Sequence, residues 1–215
     1  MTKKNKIAEL SDFLNILYPT TETFLLGKED YQFLIAVILS AQSQDKVVNK
    51  VTPILFDRYP SLEALSKADV TEVEKIIHIV GLGNSKSKNI VKLAKILSSE
   101  YKGQLPLSRK GLMNLPGVGY KTAGVFLAER YNKEFIPVDT HILRITSRLG
   151  ICRKGESPFK VEEVLEKNYS KTNMINFHRQ LILFGRNICL AGRQRKCENC
   201  SLNFCRERIN RGGEK

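Results

Sequence analysis

Three groups of side chains in this sequence have the type and spacing to do chemistry. In LPGVGYKTAGVFLAE, Leu115 to Glu129, Lys121 follows a proline and two glycines at the start of a helical pattern. The positive end of a helix disfavours an ammonium and so favours the free amine, which is the nucleophile of Schiff-base chemistry. In PVDTHILR, Pro137 to Arg144, Asp139 or Thr140 reads as a helix N-cap. A carboxylate there can also relay a proton or stabilise developing positive charge. Beside a lysine it would raise that lysine's pKa, against the helix effect. The third group is Cys189, Cys197, Cys200 and Cys205, separated by seven, two and four residues. Four soft ligands this close point to a metal or a cluster. Structural zinc usually takes two close pairs and only one is present, whereas a [4Fe–4S] cluster suits a single dense loop. Zinc remains the alternative, and Cys152, outside the loop, reads as a packed free cysteine.

These groups need elements to hold them. GVGYKT is not a Walker A motif, because Tyr120 separates Gly119 from Lys121 and the preceding element is helical. It reads instead as a helix–hairpin–helix turn, in which glycines let backbone N–H groups approach a phosphate and the next helix aims its dipole at the same anion. Such contact is independent of base sequence. An ordinary helix-to-helix turn is the alternative. The segment Ile79–Lys86, IVGLGNSK, is similar and implies a second helix, Gly-x-Gly turn and helix. Lys86 falls one residue later than Lys121 in that frame, which makes it a decoy. The likeness ends there, so it marks two similar turns and no repeat array.

Helical periods dominate and strand signals are scarce, which predicts an all-α architecture with short connections. Residues 31–39 are apolar nearly all round and should form a central helix. Ser61 should cap another helix, and a third should start at Thr71 with Val73, Ile76, Ile77 and Val80 on its apolar side. Further helices are expected at 90–101, 122–131, 140–149, 161–168 and 175–187.

Across the 215 residues, 35 Lys and Arg against 22 Asp and Glu give a net charge of +13. That balance calls for an anionic partner, nucleic acid ahead of a membrane surface. Arg186, Arg193, Arg195, Lys196, Arg206, Arg208 and Arg211 surround the cysteines and are candidate phosphate contacts. No signal peptide is read at the basic start, and the longest apolar run, Phe33 to Ala41, is far short of the ~20 residues of a membrane span. The expectation is a soluble, intracellular protein with reduced thiols and no membrane partner.

LPGVGYKTAG, VDTHILRITSRLG, LILFGRNIC with its cysteine loop, ILSAQSQDKVVNK and GLGNSKSKNI together resemble the endonuclease III family, bifunctional DNA glycosylases of the helix–hairpin–helix superfamily. The resemblance runs over essentially the whole chain. It implies a fold of two helical domains with a DNA cleft between them: a six-helix barrel with the hairpin at 23–133, and a discontinuous domain, 1–22 and 134–215, bearing the cluster loop 189–205. It further implies that Lys121 attacks C1′ of a damaged nucleotide, that Asp139 assists, and that β-elimination then breaks the strand 3′ to the lesion. Gln42 would fill the hole left by the flipped nucleotide, and Leu82 would wedge into the opposite strand. Leu115, Gly117, Val118, Gly119, Tyr120, Thr122 and His141 are the other implied DNA contacts. The four cysteines would ligate a [4Fe–4S] cluster, and the carbonyls of Met113, Leu115 and Val118 could hold a monovalent cation. The implied setting is a monomer acting on damaged double-stranded DNA in the cytoplasm, at the nucleoid.

Two features depart from the family pattern. Its cysteine spacing is six, two and five where this chain has seven, two and four, and residue 120 is often basic where this chain has Tyr120. The alternatives are a mismatch-specific monofunctional glycosylase, for thymine or adenine, and a non-catalytic hairpin module with structural zinc. Lysine in the frame of Gly117, Gly119 and Thr122 disfavours the first, and its pairing with Asp139 disfavours the second.

Overall fold

The computed structural model describes residues 1–169 and 173–209, all helices and connections with no strand among them. The chain divides into two compact units, 23–131 and 1–22 with 132–215.

The 23–131 unit is built around α2, Asp30–Ser40, in which every residue from Gln32 to Leu39 is buried. A helix apolar on all sides is stable only when other helices surround it. Its start is fixed by a capping box, with Gln32 Oε1 accepting the N–H groups of Lys28 and Glu29 at 3.1 and 3.2 Å. α3, Asp45–Arg58, follows and buries Val48, Val51, Thr52 and Leu55. Periodicity did not predict it because Pro53 interrupts the pattern; one missing N–H is outweighed by four buried side chains at helical spacing.

Short α4, Leu62–Ser66, is capped by Ser61 as expected, its side chain accepting from the Ala64 N–H. α5, Val70–Ile77, begins just ahead of the expected start because Asp69 caps it, and Val80 lies beyond its end. α6, Gly83–Ser99, begins seven residues before the expected 90, at the glycine turn itself. Its first turns are polar, GNSKSKN, so the apolar period starts later than the helix. Short α7, Arg109–Met113, leads through the second glycine turn into α8, Tyr120–Tyr131. At the far end of α8, Arg130 Nε donates to Asp30 at 2.7 Å and the Tyr131 hydroxyl also donates to Asp30, fastening α8 to the start of α2.

The other unit interleaves both ends of the chain. α1, Lys3–Leu17, is the basic segment that composition alone left unassigned, and it buries Ile7, Leu10, Ser11 and Leu14 along one face. It packs on α10, Pro158–Asn168, and α11, Met174–Asn187. α9, Thr140–Arg148, packs on α11 as well. Leu10, Leu14, Ile142, Ile145, Phe177 and Phe184 lie in the shared core, which also contains the buried Cys152. A short 3-10 turn at Cys197–Asn199 and α12, Arg206–Ile209, complete the cysteine region, pinned to the core by buried Leu202. Arg211 and the Arg208 side chain lie outside the described residues. Among the described residues no helix is long and apolar enough to cross a membrane.

Candidate functional site

The hairpin turn is set by Gly117. Its φ is +77°, and a Cβ there would lie 3.1 Å from Asn89 Cβ and 3.3 Å from Ile38 Cγ2, so both conformation and space call for glycine. Leu115 and Val118 point inward and are buried, with the Val118 N–H donating to the Leu115 carbonyl at 3.2 Å. Gly119 is different, since a Cβ on it would meet nothing within 4 Å. Nothing inside the protein requires glycine there. The open space lies outward, where a ligand backbone could approach.

Lys121 is the second residue of α8 and is exposed, while Thr122 is half-buried. Tyr120 is half-buried and carries the guanidinium of Arg109 over its ring, 4.1 Å from the centroid. A cation–π contact of this kind returns a positive charge to the neighbourhood of a position that lacks one in sequence. Arg109 was not singled out from sequence because its partner lies eleven residues away across the turn.

The two glycine turns are alike in sequence but not in conformation. In the first the left-handed residue is Leu82, at φ 62°, and α6 starts immediately after it. In the second it is Gly117, and two further residues precede α8. Lys86 accordingly lies a turn into its helix and is 4% exposed, the opposite of Lys121. Gln42, just past the end of α2, is exposed and also left-handed, at φ 55°. Leu82 is 56% exposed despite being apolar.

In the unit containing both chain ends, Asp139 is the N-cap of α9, its carboxylate accepting from the Ile142 N–H at 2.9 Å. That leaves it acceptor capacity for a second task. His141 is half-buried; its Nδ1 accepts from Arg144 at 3.0 Å, and a Cβ on Gly185 would sit 2.7 Å from the His141 Cβ. Burial holds the His141 pKa below its ordinary value; nearby Asp139 opposes this, Arg144 reinforces it, and the Gly185 carbonyl and Arg186 follow as smaller influences. Arg144 also donates to the carbonyls of Gly185, at 2.8 Å, and Cys189, at 2.9 Å, and so links α9 to the start of the cysteine loop.

Cys189, Cys197, Cys200 and Cys205 are all free thiols and line one cavity, whose walls are completed by Leu149, Phe184 and Ile188 and by the charged Arg148, Arg195 and Glu207. Burial raises the Cys189 thiol, while the guanidiniums of Arg148 and Arg144 pull it down. Arg148 donates to the Cys189 sulfur at 3.3 Å and to the Leu190 carbonyl at 2.7 Å. Arg195, expected among the phosphate contacts, instead pairs with Glu207, which also takes Arg148 at 3.3 Å. Those charges brace the loop from inside. Four thiols lining one cavity are an all-sulfur donor set, which fits an iron–sulfur cluster and also a four-thiolate zinc site.

The family model for HhH-GPD superfamily base excision DNA repair proteins matches residues 35–171. Endonuclease III of Bacillus subtilis (strain 168) is 38% identical over 196 residues, 91% of this chain and 90% of that protein. This chain belongs to the endonuclease III family. A solved structure of a trapped endonuclease III–DNA covalent intermediate superposes with a TM-score of 0.92 at 37% identity, covering 99% of this chain and all of that one. A non-covalent endonuclease III–DNA complex matches equally well, at 38% identity and a TM-score of 0.92. The all-α fold expected from periodicity is thus the endonuclease III fold, with the glycine hairpin and Lys121 inside the matched segment.

Proposed function

We propose that this chain is a base-excision-repair DNA glycosylase with abasic-site lyase activity, acting on oxidised or ring-damaged pyrimidines in duplex DNA. The observation that carries it is an exposed lysine at the second position of α8, directly after a turn whose outward glycine is free of internal constraint, in a chain of this family. The Lys121 amine attacks C1′ as the N-glycosidic bond breaks and the base leaves with a proton. The sugar ring opens to a Schiff base. Loss of a C2′ proton then expels the 3′ oxygen, nicking the strand 3′ to the abasic site, and water frees the lysine. Asp139 stabilises the positive charge at C1′ and handles the proton. Gln42 and Leu82 take the space of the flipped nucleotide and part the opposite strand. Leu115, Gly117, Val118, Gly119, Tyr120 and Thr122 form the phosphate-gripping hairpin, His141 is a further DNA contact, and the Met113, Leu115 and Val118 carbonyls are offered to a monovalent cation.

The four cysteines hold a [4Fe–4S] cluster in this reading, supported by an all-thiol donor set around one cavity. Bound there, it supplies a rigid framework for the loop. Residues 23–131 act as the hairpin-bearing barrel and the remainder as the cluster-bearing domain, in a monomer working on DNA at the nucleoid. Borohydride reduction during reaction with an oxidised-pyrimidine duplex should trap one covalent protein–DNA adduct, and Lys121→Ala should trap none. An adduct that persists in that variant would overturn the lysine assignment.

A further inference from the structure

Lys86 is a buried lysine to which the proposed chemistry gives no task. From the second turn of α6 its ammonium reaches the end of α2 and donates to the Leu39 carbonyl at 2.8 Å, the Ala41 carbonyl at 2.6 Å and the Ser43 hydroxyl at 3.3 Å. A lysine ammonium has three protons, and each has an acceptor here. Two of these acceptors are at the C-terminal, negative end of a helix, where a cation is favoured. The Ser43 hydroxyl also accepts from the Gly81 N–H at 2.9 Å. A Cβ on Gly81 would lie 2.8 Å from the Gln42 carbonyl oxygen. The turn at 41–43 and the turn at 81–82 are therefore packed backbone against backbone, with Lys86 and Ser43 binding them from beneath.

Each turn carries an exposed side chain on a left-handed, non-glycine residue, Gln42 at φ 55° and Leu82 at φ 62°. Such conformations cost free energy and persist only where the surroundings over-determine them. Here the surroundings are the Lys86 tripod and the Gly81–Ser43 contact. Resting on the reading of Gln42 and Leu82 as the residues that enter the duplex, we propose that Lys86 is a positioning residue for nucleotide extrusion. It clamps the Gln42 turn to the Leu82 turn so that the two side chains enter as one rigid unit. Lys86 touches neither the lesion nor the reacting atoms. Arginine would not replace it, because a planar fork cannot meet three acceptors arranged around a point.

The test separates extrusion from chemistry. Full-length Lys86→Met is given one abasic site in single-stranded DNA, where no duplex must be opened, and a lesion in a duplex. Borohydride trapping on the single strand should stay at the wild-type rate. On the duplex, base release should fall about tenfold to a hundredfold, the scale of a misplaced positioning group, and a 2-aminopurine beside the lesion should lose its fluorescence rise. Equal losses on both substrates, or no loss on the duplex, would overturn the clamp. Should Lys86→Met lose its helical circular dichroism, Ser43→Ala and Gly81→Ala carry the test, with the same duplex-only loss expected and its absence overturning the proposal. The base-excision reading is judged separately, since it fails if wild-type protein does not trap on the single strand or if Lys121→Ala does.

Discussion

At the residue scale, two lysines follow similar glycine turns and are placed in opposite environments. Lys121 is exposed at the second position of α8, whereas Lys86 is buried with its protons spent on α2 and Ser43. Asp139 has two roles at once, helix cap and candidate carboxylate of the reaction, and they can be separated. Asparagine caps helices about as well as aspartate but carries no charge. Asp139→Asn should therefore keep its thermal midpoint while base release falls by about 10²-fold or more, measured in single turnover. A melting temperature lowered in step with activity would show that only the cap matters. The 2.9 Å bond to the Ile142 N–H is one asparagine can keep.

At the element scale, the hairpin contains two glycines with different reasons to exist. Gly117 is held by φ +77° and by Asn89 and Ile38 at its back, so Gly117→Ala should destabilise the fold by about 1–2 kcal/mol. Gly119 faces open space, so Gly119→Ala should leave stability unchanged in chemical denaturation and weaken binding to DNA. If both variants lose only stability, the hairpin is a plain connection. Sequence could propose the turn because glycine spacing is local. It could not rank the glycines, because the atoms that distinguish them come from α2 and α6. The late expected start for α6 has a related cause: its opening turns are polar, and Lys86, four residues before Ile90 on the buried face, is a residue type that hydropathy assigns to solvent.

At the scale of the whole molecule, the net charge of +13 suits a polyanionic partner. The chain spends it unevenly, since Arg144, Arg148 and Arg195 are turned inward to brace the cysteine loop. The N-terminal helix α1 belongs to the unit that holds this loop, and Lys6 donates to the Leu149 and Gly150 carbonyls at the end of α9, both at 3.1 Å. Loss of the proposed cluster should thus be felt first in that unit. Protein purified without oxygen should be brown, and iron chelation should expose residues 189–205 to protease while 23–131 stays protected. A colourless, zinc-loaded protein would refute the cluster.

The sequence by itself determined the helical class, the glycine turn, the place of Lys121 in its frame, a helix cap at Asp139 or Thr140 and the four-thiol donor set. All of these follow from local spacing, capping chemistry and composition. Only the tertiary structure decided that α3 forms despite Pro53, that Arg109 lies over Tyr120, that Arg195 is an internal brace, and that Lys86 bonds to Leu39, Ala41 and Ser43, 47, 45 and 43 residues away in sequence. The physical reason is the same in each case. A buried charge or an interrupted helix is stable only through partners distant in sequence, and the fold is what brings those partners within hydrogen-bonding reach.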